Sequence, residues 1–166
     1  MCNIWEEIEW IFEFDGSLRD IYVENVTIED WKILIDFLNL NHLTQYGVTG
    51  ENEIKNEIDK EYLILMMNDE TDTMECKTVS IIIDDIIINT HFFSADEIEF
   101  DIDPREIKSF EDYIKVVNFM NQISKILNKP LILTGENQKD FPLIKVDFSK
   151  NLIKTLTKKE AIKLWK

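Results

Sequence analysis

The sequence predicts an α+β fold: a mixed or mostly antiparallel sheet with two helices on one face. It is built from two pseudo-symmetric strand-turn-helix-strand repeats, plus a short C-terminal helix. Three observations predict it. Apolar and β-branched runs are joined mostly by short polar connections, which favours antiparallel pairing. Two longer stretches carry apolar residues at three- and four-residue steps behind good caps. Three blocks of sequence also recur in the same order, at offsets of 86, 82 and 85 residues.

Element by element, Glu9 to Phe14 and Ile21 to Val26 read as strands around the turn Asp15-Gly16-Ser17-Leu18. A helix then starts at Thr27, whose hydroxyl can accept from an orphan first-turn amide. Asp30 stands where a capping-box acid belongs, and Trp31, Leu34, Ile35 and Leu38 form the apolar stripe. Glu51 to Lys60 is polar and reads as loop or a short helix. Tyr62 to Met67 is a short apolar run, taken as a buried strand, and Asn68 to Glu75 is a polar turn.

Two β-branched runs, Thr78 to Ile83 and Ile86 to Phe93, flank Asp84-Asp85 and predict a tight hairpin. Isoleucines on both of its faces predict a central place in the sheet, covered on both sides. Ile98 to Ile102 is the next strand. Ser109 and Asp112 then cap a second helix striped by Tyr113, Val116, Val117, Met120, Ile123 and Leu127. Pro130 to Leu133 and Pro142 to Asp147 follow as strands, and Thr157 with Glu160 forms a capping box for the last helix.

The recurring blocks carry the repeat. Glu13-Phe14-Asp15 with Arg19-Asp20-Ile21 matches Glu99-Phe100-Asp101 with Arg105-Glu106-Ile107. Thr27-Ile28-Glu29-Asp30-Trp31 matches Ser109-Phe110-Glu111-Asp112-Tyr113, and Asp36-Phe37-Leu38-Asn39 matches Asn118-Phe119-Met120-Asn121. Thr49-Gly50-Glu51-Asn52 recurs letter for letter at Thr134 to Asn137. These blocks predict a tandem duplication, with repeats at about 8–52 and 94–137 inside a single domain of residues 1–148. Residues 149–166 are expected as a basic C-terminal helix docked on that body. The chain's two arginines, Arg19 and Arg105, fall at matching positions. Each is either structural, forked onto a nearby acid such as Asp15 or Asp101, or an anion-binding group; symmetric placement favours the structural reading.

Charge and composition narrow the classes of function. At 45% hydrophobic residues the chain can bury a core despite a net charge of −15. No apolar run reaches the roughly 18–20 residues that span a bilayer. Residues 149–166 hold six lysines and one glutamate, leaving −20 on the rest. An anionic surface disfavours nucleic acid and anionic lipid as partners and favours a basic protein, whose encounter it speeds at low salt. Cys2 and Cys76 have no metal-ligand spacing and read as free thiols. With no signal-peptide pattern at Met1 to Glu7, a cytoplasmic location is expected. The bias toward Ile, Lys and Asn suits a bacterial, AT-rich genome.

Motifs for chemistry are missing. The sequence has no P-loop, no Gly-rich dinucleotide turn and no nucleophile elbow. His42, after a helix end, suits the dipole there, and His91 reads as a satisfied sheet histidine. Nothing local joins either to Ser17, Ser80, Ser94, Ser109, Ser124 or Ser149 as a triad. Asp101 with Asp103, and the run Asp69-Glu70-Thr71-Asp72, are the acid clusters in reach of a metal, the latter without the glycine and terminal Glu of a calcium loop. No catalytic, cofactor or metal residue is therefore assigned.

Small, acidic, α+β and motif-poor, the chain resembles immunity and antitoxin-like proteins at the level of class, by analogy only. The expectation is a non-enzymatic acidic binding protein that masks a basic partner through a mixed aromatic and acidic patch. The alternatives are a metal-dependent enzyme using the acid clusters, and a ligand-sensing module at the repeat interface with Arg19 and Arg105 facing inward.

Overall fold

The structure, a computed structural model, describes residues 3–47 and 55–166. Among the described residues it is α+β, with five α-helices and eight strands in one antiparallel sheet. The sheet order is β2-β3-β4-β5-β1-β6-β7-β8. The strands are β1 (Arg19–Glu24), β2 (Leu43–Gly47), β3 (Thr78–Ile83), β4 (Ile86–Thr90), β5 (Glu97–Ile102), β6 (Leu131–Gly135), β7 (Ile144–Asp147) and β8 (Leu152–Thr155). The chain divides into two compact units, Met1–Ile21 with Ile102–Lys166, and Tyr22–Asp101.

In the unit Tyr22–Asp101, α2 (Ile28–Asn41) begins at the expected cap. Asp30 N–H donates to Thr27 Oγ1 at 3.2 Å, and Thr27 N–H donates back to Asp30 Oδ2 at 2.8 Å. Trp31, Leu34, Ile35 and Leu38 are buried, as the stripe required. The hairpin β3–β4 closes with Ile83 opposite Ile86, and Asp84 takes the positive φ (53°) that the turn demands. Its two faces differ. Ile81, Ile86 and Ile88 are buried, but Ile82 and Ile83 are half-buried and Ile87 is 41% exposed. The sheet is thus fully covered here on one face, not both.

Tyr62 to Met67, expected as a strand, is a helix, α3 (Lys60–Met67). Asp59 caps it by accepting from Tyr62 N–H at 3.0 Å. Leu and Met are strong helix formers, and Ile64 is the single β-branched residue in the run. Only Leu63 is buried while Leu65 is exposed, the one-sided burial of a surface helix. Asn39 anchors the preceding segment, donating to Ile58 O at 3.1 Å and accepting from Ile58 N–H at 2.8 Å.

The unit of Met1–Ile21 with Ile102–Lys166 corrects a second expected strand. Glu9 to Phe14 is not extended: α1 (Ile4–Ile8) runs into a 3₁₀ turn at Glu9–Phe12. Asn3 caps α1, and Ile8, Ile11 and Phe12 are buried at helical spacing. The longest helix, α4 (Phe110–Leu127), starts at Ser109, which accepts from Asp112 N–H at 3.2 Å. Its box is shifted one residue, because Asp112 Oδ2 accepts from Lys108 N–H at 3.1 Å. It ends at Asn128 in the left-handed conformation, φ 51°.

The basic tail is not one helix. A left-handed Asn151 (φ 49°) turns the chain so that Leu152–Thr155 pairs as β8 on β7. Only then does α5 (Lys158–Leu164) begin, at the expected Thr157–Glu160 box. Ala161 is buried, Trp10 Nε1–H donates to Leu156 O at 3.2 Å, and Trp10 meets Trp165 edge-on at 5.9 Å.

Candidate functional site

The unit Tyr22–Asp101 carries the chain's entire net charge. Its nineteen acids and four lysines give −15, equal to the whole chain's −15, so the other unit is formally neutral. Within the acidic unit lies a groove of about 330 Å³ lined by Met66, Met67, Met74, Phe93, Asp69 and Asp72. The end of α3 delivers the first two methionines, and the chain leaving β4 delivers Phe92 and Phe93. Phe92 adopts φ 57° and turns inward against Trp31, with ring centres 5.1 Å apart, while Phe93 stays 71% exposed.

One carboxylate builds the groove's loop. Asp69 Oδ1 accepts from Thr71 N–H at 2.9 Å and from its hydroxyl at 2.6 Å. Asp69 Oδ2 accepts from the amides of Thr73 and Met74 at 3.1 and 3.2 Å. The Thr71 hydroxyl and then its amide hold the Asp69 carboxyl down to about 2, so it remains an anion across the physiological range. The acid run 69–72 was a candidate divalent-ion loop; here Asp69 is engaged by its own backbone. Among the described residues no group of three His, Cys, Asp or Glu is placed to hold a metal ion.

Beside the groove runs a polar network across β3, β4 and β5. His91 Nε2 lies 2.6 Å from Asp101 Oδ2, and His91 Nδ1 lies 3.1 Å from Thr78 Oγ1. Asn89 Nδ2 donates to Asp101 Oδ1 at 3.1 Å, and Ser80 Oγ donates to Asn89 Oδ1 at 2.7 Å. The Phe93 ring stacks on His91 at 5.2 Å, joining network and groove. Asp101, His91 and Thr78 have the connectivity of an acid-base-nucleophile chain. The hydrogen bond to Asp101 raises the His91 pKa, with Glu99 adding a smaller push. The network ties Thr78 on β3, His91 after β4 and Asp101 on β5 together and seats the Phe93 ring.

The remaining sequence candidates separate. Arg19 is 4% exposed and structural. Its Nε–H donates to Ile11 O at 2.6 Å, Nη2 to Glu13 O at 2.8 Å, and Nη1 to Asp15 Oδ1 and Leu18 O, both at 3.1 Å. Asp15 is itself exposed and is held down to about 2, first by the Ser17 hydroxyl and then by Arg19. Arg105 does not share this setting. It is exposed, forks onto Asp103 rather than Asp101 (Nη2–Oδ2 2.7 Å), and lies 4.4 Å over the Phe14 ring. Phe14 is exposed while its counterpart Phe100 is buried, so the first recurring block occupies two different environments. The Thr49 to Asn52 block lies outside the described residues.

Of the serines, Ser17 meets Asp15, Ser80 meets Asn89, Ser94 meets Asp96, Ser109 meets Asp112, Ser124 meets Lys129 O and Ser149 meets Asp147. His42 ends α2 as its C-cap, against the Phe37 ring. Cys76 is an exposed free thiol at the groove, and Cys2 lies outside the described residues. No helix among the described residues is long and apolar enough to cross a membrane. The groove was missed by sequence reasoning; the available signal was three of the five methionines within residues 66–74. Comparison with family models, curated proteins and solved structures gave no match.

Proposed function

We propose that the protein is a non-enzymatic acidic binding protein that captures a basic partner, in the manner of an immunity or antitoxin-like protein. The observation that supports this is the methionine–phenylalanine groove with ionised Asp69, inside a unit of formal charge −15. A lysine or arginine side chain has an aliphatic stem and a cationic head. Thioethers and an aromatic ring accommodate the stem, and Asp72, which also lines the groove, receives the head. The field of the unit steers the approach, and burial of Phe93 and the methionines holds the complex. The ligand-sensing alternative wanted Arg19 facing an open site; its donors face backbone carbonyls instead.

The test is capture from the native host with the full chain, at low and high salt, beside the variants Asp72→Lys and Phe93→Ala. The reading requires a basic protein held by the parent chain, released by salt, and lost from both variants. Absence of a basic partner, salt-insensitive retention, or retention by both variants overturns it.

The proposal includes the tandem ancestry, with both long helices on one face of the sheet. Its support is the shared 82-residue offset: Thr27 and Ser109 both cap, and Trp31, Leu34, Ile35 and Leu38 are buried as are Tyr113, Val116, Val117 and Met120. Each helix also leads directly into a strand, β2 or β6. The arginine block is outside that support.

A further inference from the structure

We propose that the unit of Met1–Ile21 with Ile102–Lys166 binds a small amphipathic carboxylate, its anion between Lys145 and Lys154 and its apolar body against Leu143, Leu156, Phe141 and Trp165. These side chains line a cavity of about 320 Å³. That is the lower end of the range for small-molecule sites, about 300–1,000 Å³.

The lysines carry the inference. Lys145 on β7 and Lys154 on β8 are directly opposite in the strand register. Like charges placed so destabilise a sheet pair unless an anion joins them. Among the described residues neither ammonium makes a hydrogen bond or an ion pair. The nearest candidate on α5, Glu160, feels Lys154 but is held by Thr157 N–H and Oγ1, both at 2.9 Å. Both side chains are exposed, Lys145 on the outward face between buried Ile144 and Val146, so neither strand position removes the repulsion between the two charges. Asp140 also lines the cavity, so its charge is +1 in sum, matched by a monoanion. The surrounding apolar side chains, Trp165 among them, exclude an ordinary inorganic ion as the best fit and ask for a hydrocarbon or aryl body.

The experiment titrates the full chain with monomeric decanoate and with 1-decanol, by calorimetry and by amide and indole NMR shifts. Decanoate is expected to saturate at one site, shift Leu156 and the Trp165 indole, and bind at least about tenfold tighter than decanol. The variants Lys145→Gln and Lys154→Gln, which relieve repulsion and so keep the fold, are expected to reduce decanoate to decanol's affinity while leaving decanol unchanged. Four results each overturn the proposal: no saturable decanoate binding, equal binding of decanol, unchanged decanoate affinity in both variants, or shifts confined to residues away from the cavity. Binding only to anionic vesicles, with none to monomeric decanoate, overturns it as well.

Discussion

Replacing Arg19 by Met is expected to cost far more stability than the same change at Arg105, although sequence places the two in matching blocks. Met keeps an apolar stem in the buried site and removes every donor. Four carbonyl oxygens then lose a donor: those of Ile11, Glu13 and Leu18 at 2.6, 2.8 and 3.1 Å, and that of Ser17 at 3.4 Å. A buried acceptor left unpaired costs about 1–3 kcal/mol. The two closest contacts, with partial recovery by water at the others, give about 3–5 kcal/mol, against a total of about 5–15 kcal/mol for an ordinary domain. Asp15 contributes little of this, since it is 61% exposed and surface pairs are worth about 0–1 kcal/mol. Asp15→Asn should therefore fall within about 1 kcal/mol of the parent, and Arg105→Met should leave stability close to the parent's.

The assay is urea unfolding followed by tryptophan fluorescence. With a slope of about 2 kcal/mol per M, Arg19→Met should lower the midpoint by roughly 1.5–2.5 M at unchanged slope. Arg105→Met should move it by under about 0.5 M. Equal shifts for the two arginines would refute the reasoning, and so would a loss in Asp15→Asn as large as in Arg19→Met. The second outcome would mean that the ion pair, not the carbonyl cage, holds the segment.

Two further predictions follow from the same structure. The raised His91 pKa means that its ion pair stabilises fully below the ordinary value of 6.5 and is lost as pH rises through the higher folded value. Stability should therefore decline on the alkaline side of neutrality, and Asp101→Asn should abolish that decline and return the imidazole NMR titration toward 6.5; an unchanged titration refutes the pairing. At the end of α4, Asn128→Ala forces a Cβ-bearing residue without a local polar group into φ 51° and should cost about 1–2 kcal/mol in the same unfolding assay, whereas Asn128→Gly should be neutral or stabilising.

What the sequence made legible was local. Thr27, Ser109 and Thr157 cap because a hydroxyl and an orphan amide within the same turn suffice, and the stripes of α2 and α4 follow from spacing alone. The Asp84-Asp85 hairpin was legible for the same reason. The two misread strands, at residues 9–14 and 62–67, are short apolar runs in which alternation and helical spacing compete. Asp59 caps the second, and the first continues from α1, whose own cap is Asn3. The tail was misread because pairing of Leu152–Thr155 with β7 needs a partner more distant than any window of spacing.

The sites escaped for a related reason. Matching letters identified Arg19 with Arg105, yet a guanidinium's role is set by what encloses it: carbonyls in one case, solvent and the Phe14 ring in the other. The same holds for charge. A count over the chain gives an acidic body with a basic tail, whereas the division at Ile21 and Asp101 concentrates −15 on one unit and leaves the other neutral. That partition lets one chain offer an anionic groove and, in its other unit, a cavity with a cationic pair. The two are therefore separable by salt: added salt should weaken capture of a basic protein at long range, and affect less the ligand of the cavity, whose apolar body contributes to its binding.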